Sequence, residues 1–425
     1  MSILCDVCVI GGGPAGLAAA TAAYQHGAKV ALIEREARLG GILKQCVHDG
    51  FGVLRFGEKL SGPEYAERDL ALLKECKGIE LLLQTFVDKI KPHALGWQIT
   101  VANTDGMRHV IAKSVVLATG CRERTARQIA LHGTRPAGVF TAGSAQYYTN
   151  ILGQLPGKRC VIQGSGDIGL IMARRLKLEG AQVLGVYTRG KPAGLMRNIA
   201  QCLNDFDIPL YMGKTVTRAF GHERMEAVEV ISLDEKKRPI PGTEERVECD
   251  TLILSVGLIP ENELAETLGV ELHPATRGPI CDQNGMTTVP GVFSCGNAAH
   301  VNDLVDYVTE SGVTAGQAAA SYAAKFIPKA SEAYTEPAER AYINISPGSE
   351  FLYAFPQRID TANKDNITIY FRSKDELDRT QLRVTQDGKE LLKKRYRKLR
   401  PPEMERVVIT PTGVGDIILG LEGIA

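Results

Sequence analysis

Gly11-Gly12-Gly13-Pro14-Ala15-Gly16 and Gly164-Ser165-Gly166-Asp167-Ile168-Gly169 repeat one G-x-G-x-x-G pattern at two distant places in the chain. Such a turn can hold the pyrophosphate of a nucleotide. Its first glycine permits a tight bend, the second lets backbone approach the phosphates, and the third lets a helix pack close to its strand. A helix starting there adds N–H groups and the positive end of its dipole, worth about 0.3–1 kcal/mol to a nearby anion. Glu34 follows Gly11 by 23 residues, where a carboxylate accepts hydrogen bonds from ribose hydroxyls. The same count from Gly164 reaches Tyr187, not an acid. Arg189, two residues on, could meet a 2′-phosphate or stack on adenine. The second turn therefore leaves NAD, NADP and a static nucleotide all open.

These turns need a strand before them and a helix after them. Leu4–Gly11 reads as a buried parallel strand, Ala15–His26 as a helix capped by Gly27, and Lys29–Ile33 as the next strand. Cys160–Gln163, Ile168–Glu179 and Gln182–Tyr187 repeat that βαβ order. Between the two units, Glu64–Cys76 reads as a helix. Trp97–Val101 and Met107–Ile111 read as a hairpin, and Val115–Ala118 as a further strand. Another helix is expected near Val313–Ala324. Ile367–Arg372 and Gln381–Thr385 are β-like runs, with a turn at Asp387-Gly388. The expected fold class is α/β: two Rossmann-like dinucleotide-binding domains and a small β-rich C-terminal appendage. The expected domains are 1–122 with 278–330, an inserted domain at 123–277, and the appendage at 331–425.

Composition narrows the function classes. The 425 residues suit two or three domains, and 44% hydrophobic with 23% charged residues is ordinary for a globular chain. A net charge of +1 offers no global field for nucleic acid or anionic membrane. The basic run Lys389–Arg400 reads as a solvated face or a partner-docking surface, and with one interleaved aromatic, Tyr396, it is no nucleic-acid site. The uncharged stretch Val7–Tyr24 lacks a preceding Lys or Arg and is broken by glycines, so it reads as strand and helix, not as a leader or membrane span. Ten scattered cysteines without zinc or iron–sulfur spacing predict free thiols, no metal and a reducing, cytoplasmic setting. In Cys5-Asp6-Val7-Cys8 the two thiols, three apart on a strand, are expected on opposite faces.

Three ordered motifs carry a resemblance: Gly11–Gly16 with Glu34, Val115-Val116-Leu117-Ala118-Thr119-Gly120, and Thr288–Asn297 ending in Cys295-Gly296-Asn297. They resemble the FAD contacts of two-dinucleotide-binding-domain flavoproteins, the pyridine nucleotide–disulfide oxidoreductase superfamily. The resemblance implies FAD held by Gly11, Gly13, Pro14, Ala15, Gly16, Glu34, Arg35, Gly41, Ala118, Thr119, Gly120, Gly296 and Asn297. It implies NAD or NADP at Gly164, Gly166, Asp167, Ile168, Gly169 and Arg189. Asn297 stands where the family usually has Asp, and brings no charge. The family's redox-active cysteine pairs are missing, so thiol–disulfide reduction is not expected. Gln45-Cys46-Val47-His48-Asp49-Gly50-Phe51-Gly52, Gly62-Pro63-Glu64-Tyr65 and Asp303-Leu304-Val305-Asp306 look like a narrower group. These are flavoprotein subunits that partner amine-, opine- or glycerol-3-phosphate-type dehydrogenases, the last looking closest. Electrons would pass between FAD and a nicotinamide nucleotide or such a partner subunit.

Cys46 and His48 are the catalytic candidates. A thiolate or imidazole there could tune the flavin or shuttle protons. Cys46 could also cycle through sulfenate in a stand-alone NAD(P)H oxidase or peroxidase. The remaining reading is a packed thiol beside a hydrogen-bonded histidine, in a subunit whose flavin serves a scaffold.

Overall fold

Ile3–Ile10 is an apolar strand flanked in parallel by Val30–Ile33 and Gly106–Leu117. The computed structural model describes residues 2–194, 196–327, 341–362 and 365–423. The boundary expected at 330/331 lies outside the described residues. The chain divides into a first unit of Met1–Lys44, Asp49–Cys121 and Pro260–Ala425, and a second of Gln45–His48 and Arg122–Ile259.

In the first unit, Glu80–Leu82 extends the parallel sheet beyond Val30–Ile33, and Val292–Ser294 joins the end of Gly106–Leu117. Strands covered on both faces must be apolar throughout, as Val30–Ile33 is. The second strand of the hairpin and the short strand expected at Val115–Ala118 are one element. Gly106–Leu117 pairs antiparallel with Gly96–Asn103 in its first half and parallel with the core strands in its second.

The thiols of Cys5 and Cys8 do not face apart as the strand spacing predicts. Asp6 N and Val7 N both donate to Lys29 O, at 2.7 and 3.1 Å, so two residues of the first strand share one acceptor just ahead of Val30–Ile33. Such a bulge resets the alternation. Cys5 and Cys8 consequently face the same core cluster, not opposite faces. Burial pushes the Cys5 thiol up to about 12 and Cys8 well above the ordinary thiol range, so both stay protonated.

Helix Pro14–Gln25 buries a run of alanines, and the 20-residue helix Val305–Ala324 lies against it. A Cβ on Gly312 would stand 2.2 Å from Ala15 O, and one on Gly316 2.2 Å from Ala19 O. Small residues thus bring two helix backbones together beside the first glycine turn. Helix Gly62–Glu75 starts at a capping box, Ser61 accepting from Glu64 N and Glu64 from Ser61 N.

The C-terminal part of this unit is β-rich. A five-stranded and a three-stranded sheet enclose a core including Ile359, Phe371, Leu382 and Ile417. Asp387 and Gly388 adopt φ of +50° and +75°, making the tight turn between Leu377–Gln386 and Lys389–Leu399. The basic run is thus an edge strand among the described residues. Tyr396 points into the core, while Lys398 pairs with Glu376 at 2.5 Å. Cations along an edge discourage further strand pairing.

The second unit has a five-stranded parallel sheet in the order Val139–Thr141, Thr251–Leu254, Arg159–Gln163, Gln182–Thr188, Leu210–Met212. Helices Ala142–Asn150 and Asp167–Leu178 accompany it. A smaller sheet includes Lys214–Gly221, Met225–Ser232 and Glu245–Glu248. Among the described residues no helix is long and apolar enough to cross a membrane, and no cluster of metal-ligating side chains occurs.

Candidate nucleotide-binding sites

The first glycine turn is tight for reasons internal to the chain at two of its three glycines. Gly11 sits at φ +107°, and a Cβ there would stand 2.3 Å from Ala118 O. A Cβ on Gly16 would stand 1.8 Å from Gly11 O. Gly13 differs. Its φ of −77° and ψ of −175° suit any residue, and a Cβ would meet only Gly41 Cα, at 3.8 Å. Nothing in the chain therefore requires glycine at that position, which opens onto a helix start without a side-chain cap or an acidic first turn. An open cradle at an uncapped helix N-terminus fits a dinucleotide pyrophosphate.

Glu34 is buried and fixed. Its carboxylate accepts from Gly12 N at 2.7 Å and Glu36 N at 2.8 Å, leaving a further lone pair on each oxygen for a ribose hydroxyl. Thr119 Oγ1 donates to Glu261 O at 2.6 Å, and Gly296 N donates to Ser311 Oγ at 2.9 Å. A Cβ on Gly296 would press on Ala15 Cβ at 2.8 Å. Gly11–Gly16, Gly41, Ala118, Thr119, Gly120 and Gly296 thus meet at one end of the parallel sheet, where open α/β sheets hold ligands. Arg35 is exposed and lies 3.5 Å from Glu261.

Asn297 carries hydrogen bonds that sequence reasoning missed. Its Oδ1 accepts from Asn302 N at 3.0 Å, and its Nδ2 faces Cys121 Sγ at 3.5 Å. Asn302 donates in turn from Nδ2 to His300 O at 2.9 Å. His300 itself is 2% exposed, inside an aromatic box whose closest ring is Phe355 at 4.3 Å between centroids. Burial, then the Arg372 charge, pushes its pKa down to about 3 from the ordinary 6.5. The neutral ring therefore contributes stability above pH 6.5 that is lost as pH falls toward 3, because the unfolded histidine takes up a proton first. We expect the urea midpoint to fall more steeply between those limits in the natural protein than in His300→Phe. Equal slopes would refute this.

In the second unit, a Cβ on Gly164 would stand 1.9 Å from Ser255 O, and one on Gly169 2.8 Å from Gly164 O. Gly166, at φ −68° and ψ 160°, would meet only Ser255 Oγ at 3.7 Å, so it repeats the open middle position of Gly13. Ile168 is exposed on the same first turn. Asp167 opens the helix and accepts from Asn198 Nδ2 at 2.8 Å. At the strand end Tyr187 is buried and stacked on Tyr211 at 4.7 Å, and Ser165 Oγ donates to Thr188 at 3.0 Å. The position that corresponds in spacing to Glu34 is thus filled by a tyrosine, not a carboxylate. Arg189 is exposed and donates to Lys237 O at 3.0 Å.

Cys46 and His48 belong to the second unit, not the first. Gln45 Nε2 donates to Gly143 O at 2.8 Å, and Cys46 Sγ lies 3.8 Å from Gln146 Oε1. Burial pushes the Cys46 thiol up to about 12. No disulfide links any cysteine.

Two glycine turns, each leading a parallel strand into a helix and each open at its middle glycine, define an α/β fold with two Rossmann-like units. The sequence pattern of the pyridine nucleotide-disulphide oxidoreductase family matches residues 5–323, and the chain belongs to that family. An opine oxidase subunit of Rhizobium meliloti is 26% identical over 73% of this chain and 70% of its own. Ferredoxin–NADP reductase of Limosilactobacillus fermentum is 29% identical over 69% and 85%. Hydrogen cyanide synthase subunit HcnB of Pseudomonas protegens is 28% identical over 62% of this chain, the match spanning 58% of that protein. Among solved structures, thioredoxin reductase from T. acidophilum superposes with a TM-score of 0.61 at 23% identity, covering 75% of this chain and 98% of that one. The C-terminal sheets fall beyond the family match.

Proposed function

We propose that the protein is an FAD-dependent oxidoreductase without a redox-active disulfide, exchanging electrons with a nicotinamide nucleotide and with a dehydrogenase partner subunit. The observation that carries this reading is the pair of middle glycines, Gly13 and Gly166, whose lack of a side chain has no cause within the chain. Bound FAD would supply a ring that takes or gives a hydride. The residues of the chain bind and orient: Gly13, Ala15 and Gly16 offer backbone N–H groups to the pyrophosphate, and Glu34 holds the ribose. Gly41 and Pro14 line the turn, while Thr119, Gly120, Gly296 and Asn297 lie toward the rest of the cofactor. Gly164, Gly166 and Gly169 do the same for the second nucleotide.

NADP is the preferred nucleotide in this reading. A cation, Arg189, and no carboxylate stands at the strand end, and a 2′-phosphate is better met by a guanidinium. The ferredoxin–NADP reductase relative agrees. Relatives that are themselves subunits, of opine oxidase and hydrogen cyanide synthase, support a partner. A cytoplasmic setting is proposed from the scattered cysteines, and a glycerol-3-phosphate-type partner from the sequence resemblance alone. Anaerobic mixing with NADPH or NADH tests the nucleotide claim. Bleaching of the flavin band by NADPH first, at lower concentration, is expected. A flavin band that neither nucleotide bleaches would refute it.

Sulfur chemistry at Cys46 is disfavoured, because a thiol held near 12 offers almost no thiolate at neutral pH. Cys46 and His48 are proposed instead as non-nucleophilic wall residues. Cys46→Ser is expected to retain NADPH oxidation within about twofold. A loss of ten times or more would restore the peroxidase reading.

A further inference from the structure

We infer that Arg372, from the C-terminal sheets, is a positioning residue for the flavin site, acting through Asp303 and Asn302 on the carboxamide of Asn297. The inference rests on the flavin reading above. Arg372 lies beyond the family match, which ends at 323, whereas Asn297, Asn302 and Asp303 lie within it.

The route is continuous. Arg372 lies in strand Ile367–Ser373 and is buried. Its Nε donates to Tyr353 OH at 2.8 Å, its Nη2 to Val301 O at 3.3 Å, and its guanidinium pairs with the Asp303 carboxylate and Pro402 O. Asp303 Oδ2 also accepts from Met404 N at 2.6 Å. Two C-terminal segments therefore clamp one carboxylate, in the short connection between Gly296–Ala298 and helix Val305–Ala324. The connection is pinned at Val301 and Asp303, and the residue between them is Asn302. Its backbone N–H meets Asn297 Oδ1 at 3.0 Å. With its oxygen so engaged, the Asn297 amide is left pointing its Nδ2 toward Cys121.

A planar guanidinium suits this task. It forks to a carboxylate and to carbonyls at once and cannot lose its proton. Lysine would supply one charge without the fork. Burial makes the arrangement rigid, since a buried guanidinium without its partners would be costly. The consequence for the site is orientation. A neutral Asn stands where a carboxylate is usual, so the hydrogen bonds it offers depend on which way its amide is turned, and that is set from the C-terminal sheets.

The test uses the full-length protein, stripped of flavin and titrated with FAD. Arg372→Gln is expected to weaken FAD binding about five- to tenfold, the worth of one to two hydrogen bonds, and to alter the visible circular dichroism of bound flavin. Asn297→Ala should do the same. In the Asn297→Ala background, Arg372→Gln should add less than about twofold, because the group it positions is gone. Asp303→Asn, closer to solvent, provides the same comparison if Arg372→Gln does not fold. Independent multiplication of the two effects, or an unchanged spectrum and affinity in both Arg372→Gln and Asp303→Asn, would overturn the positioning role. A natural protein that takes up no FAD at all would instead overturn the flavin reading on which it rests.

Discussion

Gly13→Val is expected to give a folded protein that no longer retains flavin. The backbone at Gly13 accepts an L side chain, and the nearest atom to a Cβ is Gly41 Cα at 3.8 Å. Valine is a poorer helix N-cap than glycine, so the apoprotein should lose about 1 kcal/mol at most. The same side chain would fill the cradle through which a pyrophosphate reaches the helix N-terminus. FAD affinity should fall at least about 100-fold, near 2.7 kcal/mol. The measurement pairs the thermal midpoint of the apoprotein with flavin content after purification. A yellow protein with an undiminished FAD complement would sink the assignment of this turn. Gly16→Val makes a poor substitute, because its Cβ at 1.8 Å from Gly11 O breaks the turn itself. Loss of flavin there would not separate binding from folding.

The second expected result separates the two nucleotides. Gly166→Val should keep FAD in full while flavin reduction by NADPH collapses. Gly166 shares the extended N-cap conformation, and a Cβ would meet only Ser255 Oγ at 3.7 Å. The FAD turn lies in a different unit and is untouched by the change. The nicotinamide nucleotide loses its backbone approach, so the NADPH concentration for half-maximal reduction should rise about 100-fold. Stopped-flow reduction under anaerobic conditions reads this directly. Unchanged NADPH dependence would mean that the second turn holds no exchangeable nucleotide, which is the static reading the sequence leaves open. The Asp167 carboxylate in the first helical turn is the feature that works against a phosphate there. An acid there competes with phosphate for the dipole, although Asn198 turns it aside with a hydrogen bond.

The two βαβ units were legible because their signals are local. A strand of apolar residues, a glycine turn and a helix of small residues lie within about 30 consecutive positions, and each period reports its own burial. The expected helix at Ala15–His26 is observed at Pro14–Gln25, and the expected strand at Gln182–Tyr187 runs to Thr188. Less was legible where one segment serves two partners. Val115–Ala118 reads as a separate strand, because the change from hairpin to parallel pairing within Gly106–Leu117 leaves no break in composition. The bulge at Asp6–Val7 was invisible for a related reason. It is set by Lys29 O, just ahead of a neighbouring strand, and alternation along one strand carries no record of it.

At the candidate sites the division is similar. Residue types and order along the chain determined that two G-x-G-x-x-G turns exist, that Glu34 follows the first by 23 residues while Tyr187 stands at that spacing after the second, and that Cys46 is the one cysteine between Gly40 and Gly52. Only the tertiary structure decided that Gly13 and Gly166 are open while their neighbours are closed, and that Tyr187 is turned inward against Tyr211. It alone joined Asn297 to the C-terminal sheets through Arg372 and Asp303, 69 positions apart. The physical reason is range. A turn and a helix start are dictated by neighbours in sequence, whereas the clearance around a Cβ and the partner of a buried charge depend on atoms that folding brings from elsewhere.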